Sequence, residues 1–176
     1  PIDRSHSNDF NLVGIICIRD QVRKGAPSAI KQIINAGIQT VMITGDNKET
    51  AISIAKEVGL LNNNSSKNAV YTSEELAGLS DSELADNLRS IRVIARAMPT
   101  DKSRLVQVAQ KTGLVVGMTG DGVNDAPALK KADVGFSMGS GTEVAKAAGD
   151  IIIMENNISS IAKAILYGRT IFKSIR

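Results

Sequence analysis

The sequence predicts an α/β fold in which a parallel β-sheet carries helices on both of its faces. Short apolar runs alternate along the chain with helix-like stretches, and each run is continuously apolar rather than alternating with polar residues. Strands that alternate with helices form parallel sheets, and strands buried on both faces consist of continuous apolar runs. The 176 residues are enough for one compact domain with a real core.

Helix-ending glycines and a capping pattern support the individual elements. Gly37 and Gly59 follow the first two predicted helices, and Ser80 and Glu83 have the spacing of a capping box. Residues 62–68 form a polar loop in this interpretation. The predicted helices cover residues 27–36, 48–58, 80–88, 101–111, 126–131 and 142–148, and the predicted strands cover residues 12–18, 39–43, 92–95, 114–118, 134–136 and 151–154.

The last predicted helix begins at Ile158 and continues towards Arg176. Apolar residues from Ile158 to Leu166 follow the i, i+3, i+4, i+7 spacing of one helix face. Residues 158–176 contain four basic residues and no acidic one, which is typical of a segment just cytoplasmic of a membrane helix and equally of a solvated helix face. No apolar run approaches the roughly 20 residues that a membrane span needs, so the chain itself is expected to be soluble.

Composition excludes several classes of function. Aromatic residues make up 3% of the chain and Trp is absent, which argues against a base-stacking nucleic-acid surface. With one cysteine, Cys17, and one histidine, His6, neither a disulfide framework nor a Cys/His metal site is expected.

Three polar clusters directly follow predicted strands. They are Thr-Gly-Asp-Asn at residues 44–47, Pro-Thr-Asp-Lys at 99–102 and Thr-Gly-Asp-Gly-Val-Asn-Asp at 119–125. Ligands of open parallel sheets bind beyond the carboxyl ends of the strands, so these clusters are expected to converge. Each cluster alone is a weak signal, because such residues after a strand usually form just a tight turn, and the order of all three carries the functional interpretation.

The residue types in these clusters suit a phosphoryl group. Gly45, Gly120 and Gly122 let backbone N–H groups approach an anion, Lys102 supplies a point positive charge, and Thr44 has a hydroxyl that can donate to a phosphate oxygen. Stabilising the charge of the transferring group is most of what phosphoryl-transfer catalysis requires.

Two carboxylates accompany these groups. Asp121 and Asp125 offer hard oxygen ligands for Mg²⁺, or supports for such ligands.

Two of the segments closely resemble P-type ATPases of the haloacid-dehalogenase superfamily. They are Ile-Thr-Gly-Asp-Asn at residues 43–47 and Met-Thr-Gly-Asp-Gly-Val-Asn-Asp-Ala-Pro-Ala-Leu at 118–129. The resemblance extends from about Phe10 to Arg176 and implies a Rossmann-like, haloacid-dehalogenase-like sheet. Gly-Ser-Gly-Thr-Glu-Val-Ala-Lys at residues 139–146 is similar to the group that includes calcium pumps.

The resemblance also implies roles for individual residues, with Mg²⁺ as cofactor and ATP as substrate. Thr44 and Gly45 would touch the phosphoryl group, Asp121 would bind Mg²⁺, and Asp125 would hold the loop and Lys102. The implied catalytic residues are Thr44, Gly45, Asp46, Lys102, Asn124 and Asp125, those that bind the phosphate-bearing substrate are Thr44, Gly45, Asp46 and Lys102, and the metal site comprises Asp121 and Asp125.

A hinge towards a separate nucleotide-binding domain is also implied by the resemblance. Asp20 and Arg23 match that hinge, although Gln21 stands where the family has a proline.

One departure from the family pattern concerns the phosphorylated aspartate. The family carries it in an Asp-Lys-Thr-Gly-Thr segment on a central strand upstream of its nucleotide-binding domain, and no aspartate of this chain begins such a segment. Asp20 follows a predicted strand, but Gln-Val-Arg comes after it. The chain alone is therefore expected to be inactive, with an exposed strand edge that could pair with another copy.

The resulting hypothesis is a part of the cytoplasmic catalytic domain of an ATP-driven cation pump, with Ca²⁺ as the expected ion. Residues 1–157 would be the C-terminal portion of the phosphorylation domain, and residues 158–176 a basic helix leading to the membrane stalk. Its partners would be the nucleotide-binding, actuator and transmembrane domains of the same pump. A nucleic acid is not expected as a partner. The alternatives are a soluble phosphatase of the same superfamily and a non-catalytic module of the same fold.

Overall fold

The computed structural model describes residues 21–175 together with Val13, Gly14 and Ile16. The strand predicted at residues 12–18 and the hinge residue Asp20 therefore lie wholly or largely outside the described residues. The helices are α1 (Ala26–Asn35), α2 (Lys48–Glu57), α3 (Ser73–Ala77), α4 (Asp81–Asn87), α5 (Pro99–Lys111), α6 (Ala126–Lys131), α7 (Glu143–Ala148) and α8 (Ile158–Ile175). The strands are β1 (Met42–Ile43), β2 (Val70–Thr72), β3 (Val93–Ala95), β4 (Gly117–Gly120), β5 (Val134–Met138) and β6 (Ile151–Ile153), with short 3₁₀ helices at Lys67–Ala69 and Val123–Asp125.

All strand pairs among the described residues are parallel, which confirms the predicted α/β class. The strands form two three-stranded sheets, in the orders β1-β3-β2 and β4-β5-β6. Met42 lies opposite Val93 in the first sheet, and Gly117 lies opposite Val134 in the second. The expectation of a single sheet is not met, because no described strand pairs with the outer edges of β1 and β4.

Helices cover both faces of the first sheet. Val93 and Ala95 of β3 pack into a cluster with Ala51 and Ala55 of α2. Ile94, between them, points to the other face and packs with residues of α3, α4 and α5. Successive side chains of a strand point to opposite faces, so β3 is buried on both sides, as its continuous apolar sequence predicts.

The second sheet is covered by α6 and α7. Met118 of β4 packs against Ala128 and Leu129 of α6 and Ala145 of α7. The small side chains of Ala128 and Ala145 let the two helices lie close to the strands that position the candidate site.

The first half of α8 packs on α1, and its second half extends away from this contact. Ala29 and Ile33 of α1 form a small core with Ala162 of α8. Farther along α8, several large apolar side chains are exposed, including Leu166 and Ile171. No helix within residues 21–175 is both long enough and apolar enough to cross a membrane.

Several predicted boundaries are wrong by a few residues, and two elements were not predicted. The strand expected at residues 114–118 is β4, Gly117–Gly120, and the one expected at residues 39–43 shrinks to Met42–Ile43. Strand β2 and helix α3, which follow the polar loop, were not predicted. Strand β2 is only three residues long and half-buried, which gives too short an apolar run to be recognised.

Candidate functional site

A groove of about 930 Å³ separates the two sheets. Residues 38–43 line it from the β1 side and residues 114–121 from the β4 side. Lys102, Asp121 and Asp125 contribute polar side chains to the lining. Because these residues follow the carboxyl ends of β3 and β4, they mark the carboxyl end of the groove.

The loop after β1 is bound to the end of β3 by backbone hydrogen bonds. The Thr44 N–H donates to the carbonyl of Ile94 (2.9 Å), and the Thr44 carbonyl accepts from the N–H of Ala97 (2.9 Å). The N–H of Arg96, a non-glycine residue with a φ of 50°, donates to the Asp46 carbonyl (2.8 Å). These hydrogen bonds fix the loop at the carboxyl edge of the first sheet, as the sequence predicts.

Asp46 and Thr44 bind each other within this loop. The Thr44 hydroxyl donates to Asp46 Oδ2 (2.9 Å), and the Asp46 N–H donates to Thr44 Oγ1 (3.1 Å). In this arrangement Asp46 orients the hydroxyl of Thr44. The residue between them, Gly45, is exposed, and a Cβ built on it would meet no atom within 4 Å. The space in front of its backbone is therefore open to a ligand.

Lys102 and Asp125 form an ion pair that joins the first turn of α5 to the loop after β4. Lys102 Nζ lies 2.5 Å from Asp125 Oδ1, and both side chains are largely buried. Asp125 Oδ2 accepts from the N–H groups of Gly122 (3.1 Å) and Asp121 (3.2 Å). Burial raises the pKa of Asp125, but the Lys102 ammonium and these N–H donors outweigh it and hold the pKa below its ordinary value of 3.8.

Gly120 is required by the close approach of Asp125. A Cβ at Gly120 would lie 2.4 Å from the Cβ of Asp125 and 2.8 Å from its Oδ2. Real side chains do not approach so closely, so any larger residue would displace the carboxylate that Lys102 contacts. Gly120, which the sequence predicts to contact an anion, is thus also required for packing.

Asp121 is the free carboxylate of the site. It is exposed, and its side chain has no hydrogen bond or ion pair with any described residue. Both oxygens of Asp125 already accept hydrogen bonds, so the structure favours a supporting role for Asp125. Within residues 21–175, no group of three or more His, Cys, Asp or Glu side chains could hold a metal ion. The exposed Asp121 carboxylate is a hard oxygen donor of the kind that Mg²⁺ accepts, and it would supply only part of such an ion's coordination.

The loop between β5 and α7 braces Asp121, a contact that the sequence analysis missed. The N–H of Thr142 donates to the Asp121 carbonyl (2.8 Å), and a Cβ on Gly141 would lie 2.9 Å from that oxygen. The sequence signal for this contact is the Gly-Ser-Gly segment at residues 139–141, which was interpreted only as part of the resemblance to calcium pumps. A contact across twenty residues cannot be inferred from local spacing.

The predicted site residues thus fall into two groups at the carboxyl end of the groove. Lys102, Asp121 and Asp125 are connected by hydrogen bonds, whereas Thr44, Gly45 and Asp46 follow β1 on the other side. Asn124 is exposed in the short helix Val123–Asp125. Arg23, predicted in the hinge, donates to the backbone carbonyl of Asn156.

Two family models match the chain, and both describe a haloacid dehalogenase-like hydrolase. One covers residues 2–133, and the other covers residues 105–165.

Curated relatives with high sequence identity include calcium-transporting ATPases. Calcium-transporting ATPase 1 of Lactococcus lactis is 44% identical over 96% of this chain, and calcium-transporting ATPase 2 of Schizosaccharomyces pombe is 46% identical over 96%. The chain spans 19% of the length of the first and 13% of the second.

Solved structures of other ATPases share the fold. A zinc-transporting PIB-type ATPase in its E2.Pi state matches 90% of this chain, and 21% of that protein, with a TM-score of 0.67 and 29% identity. The catalytic domain of the CPx-ATPase CopB-B matches 81% of this chain, and 45% of that structure, with a TM-score of 0.59 and 25% identity. The chain therefore belongs to the haloacid dehalogenase-like hydrolase family, in which it is similar to cation-transporting P-type ATPases.

Proposed function

We propose that this chain is the part of an ATP-driven calcium pump that stabilises the phosphoryl group during formation and hydrolysis of an aspartyl-phosphate. The observation that carries the proposal is the network of Lys102, Asp125 and Asp121 at the carboxyl end of the groove. In this network the Lys102 ammonium binds the Asp125 carboxylate, and that carboxylate also accepts from the backbone N–H of Asp121, whose own side chain is exposed. The identity to calcium-transporting ATPases over nearly the whole chain supports Ca²⁺ as the ion.

Each group has a role that follows from its contacts. Asp125 holds the ammonium of Lys102 in place, so that its charge meets the transferring phosphoryl group without reorganisation. The open backbone at Gly45 would bind phosphate oxygens from the β1 side, with exposed Asn124 contributing from the β4 side. The Thr44 hydroxyl, which donates to Asp46 in this structure, would join them by exchanging that hydrogen bond for one to a phosphate oxygen. Asp121 would hold Mg²⁺, which supplies positive charge at the developing negative oxygens.

The groove between β1 and β4 fits the strand that carries the acceptor aspartate in the family. Both flanking strands have an unpaired edge within the described residues, and the groove is lined mainly by apolar side chains. A parallel strand inserted there would end between the Thr44 loop and Asp121. Its last residue would then meet the phosphate-stabilising groups, which explains how a chain without the acceptor serves the reaction.

The exposed half of α8 supports a position next to a membrane domain. Its exposed apolar side chains share the helix with the basic residues Lys163, Arg169 and Lys173, and they lie beyond the residues that pack on α1. We infer that residues 158–176 lead to the membrane stalk and that residues 1–157 belong to the phosphorylation domain on the cytoplasmic face. The nucleotide-binding and actuator domains of the same pump would be its partners.

Phosphoenzyme formation in the full-length pump tests the assignment. Lys102→Ala and Asp121→Asn should each lower the level of phosphoenzyme formed from ATP by about 100-fold, as expected for preorganised electrostatic groups. Lys111→Ala, on the exposed end of the same helix α5, is the control and should retain it. Normal levels in both site variants would refute the roles, and ATP-driven uptake of another cation without Ca²⁺ would refute the ion.

The chain alone should not become labelled by ATP, because it has no acceptor carboxylate. Incubation of the purified chain with labelled ATP and Mg²⁺ should give no acid-stable, hydroxylamine-sensitive label. A stoichiometric label on any aspartate, with Asp20 the first to examine, would contradict this. Release of phosphate from small phosphoesters by the chain would instead favour a soluble phosphatase.

A further inference from the structure

Asn156 occupies a strained position in the loop between β6 and α8. Its φ is 48°, in the left-handed region that asparagine tolerates better than most residues. Its N–H donates to the Ile153 carbonyl (3.3 Å), and its side-chain Oδ1 accepts from the N–H of Ser140 (2.9 Å). Its backbone carbonyl accepts from the guanidinium of Arg23. Both acceptors of this one residue therefore bind donors from distant parts of the chain.

On one side, the contacts of Asn156 lead to Asp121. Ser140 belongs to the loop that braces Asp121, in which the Thr142 N–H donates to the Asp121 carbonyl. Gly141 lies against the same residue, since a Cβ there would be 3.1 Å from the Asp121 Cα. Because residues 141 and 142 both contact Asp121, we expect a shift of the Ser140 backbone to move the backbone of Asp121 as well.

On the other side, the contacts lead to the segment that enters α1. The Arg23 carbonyl accepts from the N–H of Ala26 (2.9 Å), which fixes Arg23 at the start of the helix. A Cβ at the neighbouring Gly25 would lie 3.3 Å from Ser159 Oγ at the start of α8. The segment before α1 thus rests directly on the loop that contains Asn156.

We propose that Asn156 is a positioning residue that couples the segment before α1, through Arg23, to the backbone of Asp121. This inference rests on the proposed function, and it adds a route by which movement of that segment changes how Asp121 presents its carboxylate to Mg²⁺. Coupling between two sites requires a structural element that responds to both of them. The loop that contains Asn156 is hydrogen-bonded to Arg23 on one side and to the loop that contacts Asp121 on the other. Residues that orient a metal ligand typically change metal affinity by about 10- to 100-fold when they are removed.

The test uses the full-length pump and separates the side chain of Asn156 from its backbone. Asn156→Gly keeps the left-handed conformation and removes the acceptor for Ser140, whereas Asn156→Asp keeps an acceptor. We expect the glycine variant to need about tenfold more Mg²⁺ for half-maximal phosphoenzyme formation, and the aspartate variant to behave like the wild type. Hydrogen exchange in the metal-free protein should be faster across residues 139–142 only in the glycine variant.

Arg23→Ala provides a second variant and a coupling measurement. It should shift the Mg²⁺ requirement in the same direction, and the double variant with Asn156→Gly should be little worse than Asn156→Gly alone. Additive effects would overturn the coupling. If Asn156→Gly does not fold, an unchanged Mg²⁺ requirement in Arg23→Ala overturns it.

The outcomes distinguish this inference from the proposed function. Absence of any phosphoenzyme in the wild-type pump would refute the proposed function itself. A wild-type phosphoenzyme together with an unchanged Mg²⁺ midpoint in Asn156→Gly would overturn only the role of Asn156. Lower thermal stability without a shift of that midpoint would do the same, since it would show a merely structural role.

Discussion

Asp125 connects three backbone or side-chain donors within the candidate site. Its carboxylate binds Lys102 and the N–H groups of Asp121 and Gly122. It is also one of two buried polar or charged residues among those that the structure describes, the other being Ser137. Loss of its charge therefore affects both the stability of the loop and the position of Lys102.

The lowered pKa of Asp125 predicts how stability depends on pH. A carboxylate with a depressed pKa stabilises the fold above its unfolded-state pKa, here about 3.8, and that contribution is lost as the pH falls through the lower folded-state value. Asp125→Asn should lower the free energy of unfolding at pH 7 by about 1–3 kcal/mol, because it leaves Lys102 without its partner. It should also flatten the decline in stability below about pH 4.

Urea unfolding of the 176-residue chain, measured from about pH 2.5 to about pH 7 so that the titration of Asp125 is covered, checks this prediction. Asp81→Asn serves as the control, because Asp81 is an exposed carboxylate paired with Arg104 and Lys111. Exposed pairs contribute little, so the control should stay close to the wild type. An Asp125→Asn variant as stable as that control at pH 7 would contradict the prediction.

Ser137 supplies a second test at the residue scale. It is fully buried in β5, and its hydroxyl has no hydrogen-bond partner in the described structure. Ser137→Ala should therefore leave the free energy of unfolding unchanged or raise it by up to about 1 kcal/mol. Gly149→Ala should destabilise, because its Cβ would lie 2.9 Å from the Ser137 Oγ. The urea concentration at the midpoint of unfolding, measured for both variants, checks these expectations. A clear loss of stability in Ser137→Ala would contradict the absence of a hydrogen-bond partner for the hydroxyl.

At the scale of elements, local signals predicted helices better than strands. The capping box of Ser80 and Glu83 is present at the start of α4, with N–H to side-chain distances of 2.8 and 3.3 Å. Thr72 and Glu75 form a second capping box at the start of α3, which the same spacing rule could have found. Strand bounds were poorer because backbone pairing, not local composition, determines where a short strand begins.

For the candidate site as well, local sequence patterns do not predict contacts between distant loops. The order of the three clusters predicts that Lys102, Asp121 and Asp125 lie at one edge, because parallel strands share their carboxyl ends. It does not predict that Gly141 and Thr142 brace Asp121, or that Asn156 receives both Ser140 and Arg23. Those contacts join loops from different parts of the chain, and no periodic pattern encodes them.

Helix α8 offers a matched comparison within one element. Ile161 is 5% exposed and lines the groove, whereas Ile171 on the same helix is 60% exposed. Ile161→Ala should lower the free energy of unfolding of the chain by about 2–4 kcal/mol. Ile171→Ala should change it by less than about 0.5 kcal/mol. Thermal unfolding of the two variants checks the difference, and equal effects would mean that the second half of α8 folds back onto the body.

On the scale of the whole molecule, the described strands form two sheets with a groove between them, where the sequence predicts one sheet that lacks its central acceptor strand. The apolar runs predict parallel strands, but they do not show which strands are neighbours. Strands β1 and β4 each keep one unpaired edge in the described residues, and these edges face the same groove. Within residues 21–175, the architecture is therefore open between β1 and β4, where we propose that the acceptor strand inserts.

This open architecture predicts that the isolated chain associates with itself. Unpaired strand edges and apolar walls attract another extended segment, and a second copy is the partner available in a purified sample. We expect sedimentation velocity to show concentration-dependent dimers. Val115→Lys should weaken dimer formation by about tenfold, because Val115 is 84% exposed beside β4 and a lysine there would bring a charge to the groove.

Val144→Lys is the matched control for self-association. Val144 is also an exposed valine, but it lies on α7 and does not line the groove. It should leave the dimerisation constant unchanged if the groove edges are the contact. Equal weakening by both substitutions would indicate nonspecific apolar association, and a strictly monomeric chain at every concentration would show that the groove closes on itself. A synthetic peptide with the family's acceptor-strand sequence should compete with the dimer, because it would occupy the same two edges.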